Sequence, residues 1–562
     1  MKPVRAVSPF PSQLQLASLA LCALALSATQ AQAAGVSTRH AREEVRSARL
    51  LGRLPATREL GLDLVLPVRD PAGLAAFVAE VSNPRGFSYR RYMTPAEFTE
   101  AFGPTQADYD AVIKFARESG LRVTGGSRDG MEVQVKGTVS AVESALHVRM
   151  QTYQHPTEAR EFYAPDREPT TGLPFALWHI SGLDNYSIPH PMVVKKSDSA
   201  SGVRPMATHA TTGSGPSASF LGSDMRAAYY GSGPLTGAGQ TVGLLEYYGT
   251  DLADLNTYYA NIGQTNQVPI TLLSVDGTST ACVSKVNRRG EETGCDDTEQ
   301  TLDMTQALGM APGLAALTMY IGSTDTAIIS AMTAPPAGVP LPGTIGCSWG
   351  WTPADPSTLD PYFQKMAAQG QTFFAASGDS STWSRRNEAW PADDAYVISV
   401  GGTDLVTAGA AGAWASETAW ADSGGGISPD DIAIPAWQKL AGVINSKNKG
   451  STKYRNGPDV AANANFTFYT CADQTACLAN EYGGTSFATP MWAAFIALAN
   501  QQAAENGLAP LGFFNPTIYA NAGEDLHDIT SGTSGSYSAV AGYDLVTGWG
   551  SPTAALIPLL VP

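Results

Sequence analysis

Four residues of this chain have the types and spacing for nucleophilic chemistry. Ser486 lies in Gly483-Gly484-Thr485-Ser486-Phe487-Ala488-Thr489-Pro490, ahead of an apolar run from Met491 to about Asn500 that reads as a helix. A Ser at a helix start meets unpaired backbone N–H groups and the positive end of the helix dipole, which suits a nucleophile whose reaction makes an oxyanion. The plain alternative is an N-cap Ser. A nucleophilic Ser needs a base. The common base is His, but of His40, His147, His155, His179, His190, His209 and His527 only the last falls in the region that carries Ser486, with no His-Gly-Thr motif around it. A carboxylate is therefore the expected base. Glu299 and Asp303 are four residues apart on an expected helix, Thr298–Met310, and so share one face. Two crowded carboxyls titrate apart, one keeping a proton while the other ionises. Asp379, after the apolar strand Thr372–Ala376 and Ser377-Gly378, stands at a strand's carboxyl end. A protonated carboxyl there can donate a hydrogen bond to an oxyanion. Taken singly, Glu299 and Asp303 also read as a solvated helix face and Asp379 as a turn residue.

These residues need a frame. Short apolar runs at Gln240–Leu245, Leu317–Ile321, Gly343–Ser348, Thr372–Ala376 and Tyr396–Val400 alternate with helical stretches such as Asp360–Gln369. That pattern predicts an α/β domain with a parallel central sheet covered on both faces. Its active site belongs at the carboxyl ends of the strands. Residues 58 to 186 read differently. Strands are expected at Leu60–Val68, Val123, Met131–Val135 and Met150–Tyr153. Helices are expected at Pro71–Val81, after the Thr94-Pro95-Ala96-Glu97 capping box, after Thr105 and at Thr138–Leu146. This is a small α+β unit of split βαβ type, ferredoxin-like. Residues 187–218 are rich in Ser, Pro, Gly, Thr and Ala and read as a linker with a processing site.

Of 562 residues, 43% are apolar and 15% charged, and the net charge is −16. The chain can bury large cores, and a nucleic-acid binder would show the opposite charge balance. Residues from 206 onward hold 12 Lys+Arg and 31 Asp+Glu, a net of −19, while the first 205 carry +3. The expectation is that the near-neutral first part docks on the acidic second part and that acid loosens the pair. Lys2, Arg5, an apolar run from Leu14 to Ala28 and Ala31-Gln32-Ala33 read as an export signal cut near residue 33. With it gone no membrane span is expected. Export permits disulfides; the spacings favour Cys282–Cys295 and Cys471–Cys477, leaving Cys347 as a buried thiol.

Glu299-x-x-Leu302-Asp303, Ser377-Gly378-Asp379 and Gly483-Gly484-Thr485-Ser486-x-x-x-Pro490, in this order, resemble the sedolisin (serine-carboxyl peptidase) family, kumamolisin-like members with an activation prodomain above all. The resemblance implies a subtilisin-like catalytic domain and endopeptidase activity at low pH. It implies Ser486 as nucleophile, Glu299 as general base, Asp303 as its support and Asp379 as oxyanion donor. Glu246 and Trp349 match a wider hydrogen-bond network. It also implies one Ca²⁺ bound by the Asp528 and Asp544 side chains with the carbonyls of Ile529, Val540 and Gly542. The domain division is then signal peptide 1–33, prodomain 34–186, linker 187–218 and catalytic domain 219–562. The expected partners are a protein or peptide substrate and the chain's own prodomain, acting as inhibitor and chaperone; nucleic acid and membrane are not expected. The enzyme is expected to be a secreted monomer, in the medium or the periplasm. Two rival readings remain: a His-dependent subtilisin-type protease using His527, and a catalytically inactive secreted binding protein of the same fold.

Overall fold

The computed structural model describes residues 35–41, 43–196, 211–283, 295–352, 356–385, 387 and 389–561. The export signal expected over 1–33 lies outside them, as does the middle of the expected linker.

The first part forms around local signals that the sequence displays. β1 (Glu59–Val65) buries Leu60, Leu62 and Leu64. The Asp70 carboxylate then accepts from the Gly73 N–H at 2.9 Å, and Pro71 opens α1 (Pro71–Val81), which buries Leu74, Val78 and Val81. Thr94 and Glu97 close the capping box of the helix Pro95–Ala101. Thr105 caps α2 (Gln106–Glu118) and Thr138 caps α3 (Val139–Leu146). Satisfying these N-terminal N–H groups is worth about 1 kcal/mol per cap. Strands β2 (Arg122–Gly125), β3 (Glu132–Thr138) and β4 (His179–Ser181) join β1 in the antiparallel order β2-β3-β1-β4, that of a split βαβ unit.

The second part is an α/β domain. Strands β7 (Thr241–Glu246), β8 (Ile270–Ser274), β9 (Ala316–Ile321), β10 (Thr344–Cys347), β12 (Thr372–Ala376), β13 (Ile398–Thr407) and β14 (Trp414–Ala419) run in the order β8-β9-β7-β10-β12-β13-β14, with β15 (Val460–Asn463) also paired to β13. All neighbours are parallel except β13 and β14. Two-residue strands β5 (His190–Pro191), β6 (Val194–Lys195), β11 (Trp349–Gly350) and β16 (Tyr482–Gly483) lie outside this sheet. The register sets Leu245 beside Cys347 and Cys347 beside Ala375. The next residues, Glu246, Ser348 and Ala376, therefore emerge together at the carboxyl edge, with Asp379 three residues on.

Two helices complete this edge: α5 (Thr298–Met310), where expected, and α8 (Thr485–Glu505), which packs along it. The expected start of α8 at Met491 is six residues late. Pro490 lacks the N–H that would bond the Ser486 carbonyl, the usual reason to end a helix there. The helix runs through all the same, with the Ser348 hydroxyl oxygen 3.4 Å from that carbonyl.

The first part sits on α6 (Asp325–Thr333) and α7 (Pro356–Gln369) of the second. Val65, Leu74, Val78, Phe98 and Met131 belong to the same apolar core as the α/β domain. The polar contacts do not follow the expected charge attraction. Arg90 donates to the carbonyls of Ala509, Pro510 and Leu560, Tyr92 to Leu511 O (2.7 Å), and Trp178 to Thr358 O (3.2 Å). Each ion pair seen among the described residues joins partners within one part, as in Arg53–Glu143 and Arg455–Asp459. At the interface, burial pushes Asp63, held by Thr324 and Thr326, up to about 7, and burial and then Asp63 raise Glu132 well above the usual range. Docked, these carboxyls hold protons more tightly than when separated, so through them falling pH strengthens docking. Burial lowers Lys365 to about 7; its penalty is complete by neutral pH and does not change in acid. The expectation that acid loosens the pair finds no support in these groups.

Two glycines set how close α5 lies to α4 (Gly222–Tyr229). A Cβ on Gly309 would stand 2.3 Å from the Gly222 carbonyl carbon, and one on Gly222 would stand 2.2 Å from Thr305 O. Only backbone meets these positions, and backbone does not yield. Gly309→Ala is expected to destabilise the protein by about 1–3 kcal/mol through overpacking. Thermal unfolding checks this, with Gly172→Ala, where a Cβ meets nothing, as the silent control.

Candidate active site

Ser486 is fully buried in the first turn of α8, behind a glycine that no other residue can replace. Gly484 has φ +147°, and a Cβ on it would stand 2.3 Å from Met192 O and 2.7 Å from Asp379 Oδ2. The Ser486 N–H donates to Met192 O at 3.1 Å. The Ser486 hydroxyl donates to Ser348 O at 3.3 Å.

The three carboxyls Glu246, Glu299 and Asp303 are each at most 3% exposed. Trp349 Nε1 donates to Glu246 Oε2 at 3.1 Å, and Ser348 Oγ donates to Asp303 Oδ1 at 2.7 Å. The other oxygens, Glu246 Oε1, Asp303 Oδ2 and both of Glu299, are buried and accept no well-aligned hydrogen bond among the described residues. Such atoms are costly unless carboxyls share protons among themselves. Burial, then the charge of Asp303, raises Glu299 well above the usual range, although the neighbouring Ser486 hydroxyl works against the shift. Burial and Asp303 do the same to Glu246, and burial pushes Asp303 up to about 8. All three shifts favour the protonated forms, so in acid this cluster carries protons.

Asp379 is anchored by one oxygen. Oδ1 accepts from the Thr485 N–H (2.8 Å) and hydroxyl (2.9 Å), and the Gly378 N–H donates to that hydroxyl at 3.1 Å. Oδ2 and Met192 O both lie within 3 Å of the point where a Gly484 side chain would begin.

The sequence places 187–196 in a linker; the structure makes it a strand across the site. β5 pairs antiparallel with β11, and β6 pairs antiparallel with β16. Between them Met192 N donates to Ser348 O at 2.8 Å. The Met192–Val193 peptide thus lies over Ser486, its carbonyl oxygen on the Ser486 N–H. Hydropathy could not reveal this, because both strands are two residues long and exist only by pairing with the cleft rims. Ser348, Thr485 and Gly484 were also missed as site residues; the fused motif Ser348-Trp349 at a strand end was the available signal.

His527 is not part of this cluster. Its ring stacks on Trp414 at 4.0 Å and its backbone pairs with Ser551, so the His-dependent reading has no base to use.

The expected cation loops do converge. Asp528 Oδ2 accepts from Gly542 N and Asp544 Oδ2 from Val540 N, each at 3.0 Å, so both carboxylates face one short loop. The carbonyls of Ile529, Val540 and Gly542 accept no hydrogen bond among the described residues. Val540 stays out of the positive-φ region, and Gly542 takes it, at +78°. An all-oxygen donor set of this kind fits a hard cation. Both expected disulfides, Cys282–Cys295 and Cys471–Cys477, are present, and Cys347 is a buried thiol. Among the described residues no helix is long and apolar enough to cross a membrane.

Residues 46–183 match the family model "Pro-kumamolisin, activation domain", and residues 304–545 match the subtilase family. Kumamolisin of Bacillus sp. (strain MN-32) is 29% identical over 84% of this chain and 86% of its own length. Sedolisin of Pseudomonas sp. (strain 101) is 28% identical over 91% and 88%. The solved structure of Pseudomonas sedolisin, a serine-carboxyl proteinase complexed with two molecules of pseudo-iodotyrostatin, superimposes with a TM-score of 0.50 at 27% identity. It covers 62% of this chain and 98% of that one.

Carboxyls whose folded pKa is raised stabilise the fold in acid and lose that contribution as pH rises through the folded value. Asp303 (about 8), Asp63 (about 7), Glu246 and Glu299 all shift in this direction. Each therefore contributes more stability at pH 5 than at pH 8, less than additively where the groups couple. The Ser486→Ala precursor is expected to unfold at a higher temperature at pH 5 than at pH 8, and scanning calorimetry at the two pH values checks it.

Proposed function

From the premise that this chain is a serine-type peptidase of the sedolisin (serine-carboxyl peptidase) family, kumamolisin-like and with an N-terminal activation domain, we propose that it is a secreted, acid-active endopeptidase made as a proenzyme. The observation that carries this reading is the Met192 carbonyl resting on the Ser486 N–H, between the Glu246–Asp303–Glu299 cluster and Asp379.

In the proposed reaction Ser486 Oγ attacks the carbonyl carbon of the bound peptide and its proton passes to the Glu299 carboxylate. Asp303, protonated and held by Ser348, supports that carboxylate by sharing its proton. Glu246, fixed by Trp349, does the same for Asp303. The negative charge that forms on oxygen is met by the Ser486 N–H and by the Asp379 O–H. Only the protonated Asp379 has that O–H, so activity rises in acid. Glu299 then gives its proton to the leaving nitrogen. Water, deprotonated by Glu299, releases the acyl group.

The same reading puts processing at the peptide whose carbonyl accepts from the Ser486 N–H. The bond presented to Ser486 in the precursor is Met192–Val193, inside the expected 187–218 linker and after the proposed 34–186 prodomain. The proposed catalytic domain is 219–562. The export reading rests on the sequence of residues 1–33 alone. Asp528, Asp544 and the carbonyls of Ile529, Val540 and Gly542 would hold one Ca²⁺, which ties two loops together and takes no part in bond cleavage. A chelator is expected to lower the unfolding temperature of the Ser486→Ala precursor, and Asp544→Asn to abolish that response.

The test of the main reading is self-processing. The precursor without residues 1–33 is moved from pH 7 to about pH 4, where a carboxyl O–H can persist. The new N-terminus is expected at Val193. Ser486→Ala should slow its appearance by about 10⁴-fold or more, and Asp379→Ala by about 10²–10³-fold. An unchanged chain at acid pH, or processing by Ser486→Ala in isolation, would count against the assignment.

A further inference from the structure

The strand that occupies the cleft also touches it with side chains beyond the cut bond, and those contacts are chemically selective. Val193 is the first residue after the bond. Val194, the second, packs on Trp420, Ala464 and Phe466, each at most 4% exposed. Lys195, the third, lies opposite Tyr482, and its ammonium stands 5.4 Å from the centre of the Tyr482 ring. The Asp473 carboxylate is close enough for its titration to feel Lys195. Lys196, the fourth, receives the Glu481 carbonyl on its N–H at 2.9 Å and gives its ammonium to the Asn480 carbonyl at 3.0 Å. One rim segment, 480–483, thus offers a strand edge, a ring face and a carbonyl to consecutive residues.

Resting on the reading of the site as a peptidase, we infer that this rim selects substrates: it favours protein segments with a branched aliphatic residue second, and cations third and fourth, after the cut bond. A ring face attracts an ammonium through its quadrupole, and a carbonyl accepts from it. The niche under Val194 is built from Trp420, Ala464 and Phe466, none of which offers a countercharge to an acidic residue at the second position. The substrate class is therefore cationic polypeptide, and the prodomain segment is a copy of it.

The test uses the full chain after acid processing and an internally quenched peptide that copies residues 189–196. In two companion peptides the last two lysines become alanines or glutamates, and in a third the second residue after the bond becomes aspartate. Mass spectrometry locates each cut. Cleavage at the Met–Val bond in every peptide is expected. kcat/KM should fall about threefold for alanines and about tenfold or more for glutamates or aspartate. Tyr482→Phe, which keeps a ring face, should preserve the lysine-to-alanine ratio, and Tyr482→Leu should bring it towards one. Equal kcat/KM for all peptides, each cut at Met–Val, overturns the inference and leaves the peptidase reading standing. The same holds if the ratio survives Tyr482→Leu. Failure to cut any peptide, or equal cutting by Ser486→Ala, overturns the peptidase reading and this inference with it.

Discussion

Three carboxyl groups lie against one another beneath Ser486, buried, and no Lys or Arg is among the groups that shift them. Ionised together they would repel strongly in a medium that screens little. The arrangement is tolerable only if protons stay in it, and protons stay only where burial makes the charged forms unfavourable. Much of the surrounding architecture follows from that constraint. α5 is buried along its whole length except at Gly309, unlike a surface helix with one apolar stripe. Trp349 and Ser348 each give one hydrogen bond to the cluster and supply no charge. Burial and the charge of a neighbouring carboxyl both work against ionisation of Glu246 and Glu299.

The fold brings these groups together by register. β7, β10 and β12 are adjacent and parallel, so the residues that follow them come out at one edge, and α5 and α8 close that edge from the side. Gly484 decides what enters. Its missing side chain leaves room for the peptide carbonyl on one side and the Asp379 carboxyl on the other. A methyl group there would meet both.

Much of this was legible in the sequence. The capping residues Asp70, Thr94, Thr105 and Thr138 act locally, and the helices they open start where their spacing says. Glu299 and Asp303 were legible because a helical repeat fixes two carboxyls on one face. Ser486 was legible, but the start of its helix was not, since Pro490 reads as a boundary and the helix runs through it. The path of 190–196 was illegible for a related reason. Its strands are stabilised only by β11 and β16, and a segment without structure of its own carries no period. Net charge misled outright. A sum over hundreds of residues says nothing about which groups meet, and here Arg90 meets carbonyls while Asp63 is buried against the hydroxyls of Thr324 and Thr326.

That last point changes what acid must do. Asp63 and Glu132 bind protons more readily when docked, so lowering the pH tightens this part of the interface. Protonation there cannot be the release step. The strand between the two parts offers another. Intact, 190–195 pairs with both rims of the cleft, and each pairing is intramolecular, which raises its effective concentration greatly. Cutting between 192 and 193 turns one tethered strand into two ends, each left with a two-residue pairing that is marginal by itself. In the proposed reaction acid acts at the catalytic site and the covalent cut acts on the prodomain. Tight docking in acid becomes useful in that sequence, because it holds the Met192 carbonyl over Ser486 under the conditions in which the bond is broken.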